Sequence, residues 1–215
     1  MSFKNAKNGI KKIRAGELLG LLTIVTTFVL TITGGIAENM KEAGNARYET
    51  VVTVARIALF AELFISALSS ILKILGIVQA SKDSGKFSSA LIFAALSLAI
   101  SVVSGFFTKS KAVSEGIGPI TSLLNVFTTY FIVMGIQELA EKTKDSVLQK
   151  ECEKSLFYVL RAEIASVIVQ VISILFKNSA AVTTISAVAG IASLVLSLIS
   201  YFVYLGLLKK AAKAL

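Results

Sequence analysis

Residues 18–37, LLGLLTIVTTFVLTITGGIA, run for twenty positions without a charged side chain. Runs of this kind constrain the chain more than any other feature. A helix rising 1.5 Å per residue needs about 20 residues to cover a hydrocarbon core of ~30 Å. Residues 88–107, 117–136 and 178–208 are uncharged as well. In lipid every backbone N–H and C=O must find an internal partner, so only helices or closed barrels span it. A barrel would show short alternating segments, whereas these runs are long and continuous.

The sequence therefore predicts an all-α fold, an integral membrane bundle of six transmembrane helices. The spans fall at about 15–36, 51–78, 88–107, 117–136, 157–176 and 182–208. The connections are too short to hold a soluble domain, so residues 1–215 read as a single transmembrane domain. Composition agrees: 55% of residues are hydrophobic and 16% charged, against about 25% charged in soluble domains. The basic start, MSFKNAKNGIKKIR, resembles a secretory leader, but the apolar run behind it exceeds the usual 7–15 residues of one. It is read as a retained first span.

The net charge of +9 is explained by the membrane and not by nucleic acid. If the N-terminus is cytoplasmic, sixteen Lys and Arg fall on the inner side and six on the outer. The positive-inside rule then sets both termini in the cytoplasm, in a plasma membrane of bacterial type. The expected partner is the lipid bilayer, with a second membrane protein or a second copy as further possibilities.

The longest polar connection, QELAEKTKDSVLQKECEKS at 137–155, has no Pro or Gly and reads as a helical extension of the fourth span. It places the lone Cys152 in a charged loop. Pro119, after Gly118, suits the first turn of the fourth span. Near their inner ends the second, fourth and sixth spans read KILGIVQ, IVMGIQE and VYLGLLK, aligning Gly76, Gly135 and Gly206. Three repeated helical hairpins would give this pattern, and so would coincidence among apolar runs.

Small and polar residues recur along the spans at helical spacing. The first span carries Gly20, Thr27, Thr31 and Gly34; the second Glu62, Ser66, Ser69 and Lys73; the fourth Thr121, Asn125, Thr128 and Gly135; the fifth Glu163, Ser166, Gln170, Ser173 and Lys177. Helices in lipid associate where small residues admit close approach and hydroxyls bond across. These faces should point inward, as packing seams or as the lining of a polar path.

The charges sort by depth. Lys73 and Arg56 lie near span ends, where long stems reach the interface. Glu17 and Glu163 lie near helix starts, favoured by the dipole. Glu62 lies about 11 residues into its span, and an acid at the centre of a span costs roughly 2.5–3.5 kcal/mol. It must be protonated, paired or wet. An antiparallel second and fifth span would put Glu62 near Lys177 and Lys73 near Glu163, two candidate ion pairs.

The chain has no histidine, a single cysteine, no phosphate-binding loop and no metal-ligand spacing, so neither an enzyme nor a cofactor is expected. The leading expectation is a small channel or transporter moving an ion or small solute. Its path would use Glu62, Ser66, Ser69, Asn125, Gln170 and Glu163. The alternatives are a non-catalytic accessory protein and a solute-binding subunit of a larger transport complex.

Overall fold

A computed structural model describes residues 3–42, 47–106, 111–175 and 180–215. The described residues form six helices: α1 (Lys4–Glu42), α2 (Tyr48–Ala80), α3 (Gly85–Phe106), α4 (Lys111–Lys142), α5 (Ser146–Leu175) and α6 (Ala180–Ala214). No strand occurs among the described residues. Five helices are long and apolar enough to cross a membrane, over Lys4–Lys41, Tyr48–Ala80, Gly85–Val103, Ile117–Lys142 and Val195–Ala214. The described part of α5, which opens on alternating Lys and Glu, does not add a sixth.

The helices overrun the expected spans. α1 has 39 residues, about 58 Å at 1.5 Å per residue. Its basic start is helical because nothing in KNAKNGIKKIR breaks a helix and because its first turn is capped. Asp83, from the turn after α2, accepts the Ala6 backbone N–H at 2.7 Å and the Asn5 amide at 3.1 Å. A carboxylate there satisfies an orphan N–H and faces the positive end of the helix dipole. Pro119 lies inside α4 and does not begin it. Nearby, the Thr121 hydroxyl lies 3.1 Å from the Ile117 carbonyl and 2.9 Å from that of Gly118, and donates to one of them at a time.

The connection predicted across 137–155 collapses to a three-residue turn. α4 runs on to Lys142 and ends with Asp145 N–H on the Ala140 carbonyl and Lys144 N–H on the Glu141 carbonyl. This is a Schellman stop, with Lys144 in the left-handed position at φ 57°. Asp145 then caps α5 through Leu148 N–H at 2.9 Å.

The chain divides into two compact units. The larger comprises residues 1–11 and 76–215. In it α3 packs on α4, α4 on α5 and α5 on α6. Its fully buried side chains gather where α1, α3 and α5 begin and where α2, α4 and α6 end. They include Ile10, Ile77, Phe87, Val133, Ile136, Leu139, Leu207 and Leu208. Gly9 lies so near the Gly76 carbonyl and Ala80 that any side chain would strike them, and Gly135 lies under the Phe87 ring. Gly206 has open space around it, so the three aligned glycines share a spacing but not an environment.

Cys152 is not in a loop. It lies within α5, fully buried on a face with Leu148, Ser155, Val159 and Ala162. That face repeats every three or four residues, while Lys150, Glu153 and Lys154 lie on the exposed side. Burial, with help from Glu151 and Glu153, pushes the thiol up to about 12.

The smaller unit, residues 12–75, is a hairpin of two antiparallel helices, most of α1 and α2. Its large apolar side chains are exposed along both helices, among them Val25, Phe28, Ile57, Phe60 and Phe64. Apolar surface of this extent is at home in lipid.

Candidate functional site

The hairpin carries the acid on which the sequence reading turned. Two contacts set the register of its helices. The Ser69 hydroxyl, buried, donates to the Gly16 carbonyl at 2.8 Å. A Cβ on Gly16 would lie 2.7 Å from the Ser69 carbonyl oxygen, so only glycine admits this approach. Seven residues from Ser69, Glu62 meets Thr27, whose hydroxyl lies 2.8 Å from Glu62 Oε1.

Glu62 thus meets a hydroxyl on the facing helix, while Lys177, the lysine weighed as its partner, lies outside the described residues. The other Glu62 oxygen has no partner among the described residues. Thr27 Oγ1 is also 2.8 Å from the Thr23 carbonyl of its own helix. A hydroxyl has one proton to donate, so it serves one of these two acceptors at a time. With a proton on the carboxyl, Glu62 donates to Thr27 and Thr27 donates to Thr23. The same heavy-atom positions therefore suit a carboxylate and a carboxylic acid. Thr23, Thr27 and Thr31, with Ile24 and Phe28, line a shallow open groove on α1.

Lys73 forms an ion pair with Glu17 at 3.1 Å. The Glu17 side chain is only 10% exposed and that of Lys73 34%. The partner expected for Lys73, Glu163, has its side chain outside the described residues, as does Gln170; Lys177 lies outside them altogether. Ser66 is exposed. Asn125 belongs to the larger unit, where it accepts a bond from Ser97 at 3.0 Å between α3 and α4. Beside it, Phe93 stacks on Phe127 and Phe131 with centroids 5.0 and 5.4 Å apart.

Of the faces expected to point inward, Ser69 is buried and Glu62 half-buried while Thr27, Thr31 and Ser66 are exposed, and neither Gly16 nor the role of Glu17 was foreseen. The signal was available as a seven-residue spacing, with Gly9, Gly16 and Thr23 on α1 and Glu62, Ser69 and Gly76 on α2. Such spacing is the mark of helices packed at a small angle.

A second polar cluster joins α3, α4 and the turn between α2 and α3. The Ser84 hydroxyl donates to Glu138 at 2.7 Å and Lys142 pairs with Glu138 at 2.6 Å. The Lys142 and Ser84 bonds hold the Glu138 carboxyl below its ordinary range. Lys210 pairs with Glu151 at 2.7 Å between α6 and α5. Among the described residues, no group of three or more His, Cys, Asp or Glu side chains could hold a metal ion.

These features define a helical protein with several helices compatible with membrane insertion. Compared with known proteins, the chain matches no family model, no curated protein and no solved structure.

Proposed function

We propose that the chain is a six-span plasma-membrane protein, both termini cytoplasmic, that moves a proton or small cation across the bilayer. Glu62 is the binding group. The reading rests on one observation: a half-buried carboxylate midway along the apolar run of α2, held at one oxygen by Thr27 with no cationic partner among the described residues. Intramembrane acids of this kind mark ion paths and proton relays. The Thr27 hydroxyl, with two acceptors at equal distance, suits a group that gains and loses a proton in place. Ser66 lies one turn further along α2 and would continue the path.

The test is flux into liposomes holding the purified protein. The native chain should pass protons or a monovalent cation, and Glu62→Gln should reduce that flux at least tenfold. Absence of flux in the native chain, or equal flux in both, removes the reading.

The exposed apolar surface of the hairpin, including Phe28, Phe60 and Phe64, favours a second reading, a membrane accessory protein or the solute-binding subunit of a larger transport complex. A stoichiometric partner retained in mild detergent would support it.

A further inference from the structure

The first three turns of α1 present a face that transport at Glu62 does not use. Ala6, Gly9, Ile10 and Ile13 are buried, and the Asp83 cap fixes the first turn. The rotation of the helix about its axis is therefore set. Lys4, Lys11 and Lys12 are exposed and Lys7 and Arg14 half-exposed. Lys4, Lys7, Lys11 and Arg14 recur at i, i+3, i+7 and i+10, which is one stripe of a helix. No acidic residue precedes Glu17 in the chain, and Glu17 is engaged by Lys73. None of the five basic side chains has an acidic partner among the described residues. Five exposed or half-exposed cations without an acidic partner among the described residues suit an anionic surface.

Position along the helix says which surface. The uncharged run of α1 begins at Leu18. At 1.5 Å per residue, Arg14, Lys12 and Lys11 stand about 6, 9 and 10 Å before it, and Lys4 about 21 Å before it. Screening at physiological salt acts over about 8 Å. The three residues nearest the run sit at headgroup level, while Lys4 lies beyond the reach of the surface. We infer that the Lys11, Lys12 and Arg14 face of α1 gathers anionic phospholipid headgroups around the first span. Each basic residue near a charged leaflet is worth about fivefold in local lipid occupancy. The inference rests on the chain spanning a bilayer and is independent of what Glu62 carries.

The chain contains no tryptophan, so a single Leu18→Trp reporter is unambiguous, and Leu18 is exposed. The reporter protein is placed in nanodiscs holding equal fractions of phosphatidylglycerol and phosphatidylcholine, with one or the other brominated. Brominated phosphatidylglycerol should quench several-fold more strongly at low salt, and 0.5 M NaCl should abolish the difference. Lys11→Gln, Lys12→Gln and Arg14→Gln together should equalise the two lipids, while Lys4→Gln should change little. Equal quenching in the parent overturns the inference alone. Quenching by neither lipid overturns the membrane reading with it. A loss at Lys4→Gln as large as at Arg14→Gln also overturns it, because a soluble acidic partner would not grade the effect by depth.

Discussion

Lys73 and Glu17 meet at 3.1 Å across the helical hairpin, one turn along α2 from the point where Ser69 bonds the backbone of Gly16. The pair is lopsided, with the carboxylate far less exposed than the ammonium. Removing one partner of a buried pair is costly when the remaining charge cannot reach water. Lys73→Met should lower stability by about 2 kcal/mol, more than Glu17→Gln does, because a freed lysine can extend its stem toward water. Unfolding titrations of the two variants in micelles measure the difference.

The close approach at Gly16 gives a sharper contrast. A methyl group at Gly16 would meet backbone oxygen at 2.7 Å, while one at Gly206 would meet nothing within 4 Å. Gly16→Ala should destabilise by about 1–3 kcal/mol through forced separation of the helices. Gly206→Ala should be neutral, or stabilising by up to about 1 kcal/mol from helix propensity. Thermal midpoints of the two variants, measured side by side, test this.

Cys152 should behave as an inert core residue. It is fully buried and its thiol is pushed up to about 12, so almost no thiolate exists at pH 8. Iodoacetamide should leave the native protein unlabelled for hours and modify it promptly once unfolded. Mass spectrometry distinguishes the two.

The Glu138 cluster sets a pH dependence. Its carboxyl is depressed by Lys142 and Ser84. The stabilisation is therefore present above the ordinary carboxylate value, and is lost as pH falls through the lowered one. The native protein should lose stability between about pH 4.5 and lower values. Glu138→Gln should be less stable at pH 7 and should show a flatter acid limb. Melting curves across pH measure both.

Five long apolar helices were legible because long runs with few charges leave a chain few alternatives to a helix. Glu62 stood out for the same reason, since depth alone makes an acid conspicuous. Its partner was not legible. Whether Glu62 meets Thr27, and Lys73 meets Glu17, depends on the register between two helices. That register is set by how closely Gly16 lets the backbones approach. Cys152 was misplaced because its neighbours in sequence are charged, while its neighbours in space lie three and four residues away. Pro119 was read as a helix start because proline suits a first turn, and nothing in the sequence signals that α4 begins eight residues earlier, at Lys111.

The buried core of the larger unit draws side chains from Ala6 near one end of the chain to Ala212 near the other. The hairpin of α1 and α2 needs only contacts between residues a few dozen positions apart, such as Thr27 with Glu62. In the order of synthesis, the hairpin can therefore close while later helices are still being made. The core must wait for α6, and until then Ile10, Ile77 and Phe87 are left without their final cover. Synthesis thus delivers a finished pair of helices first and an unfinished core last.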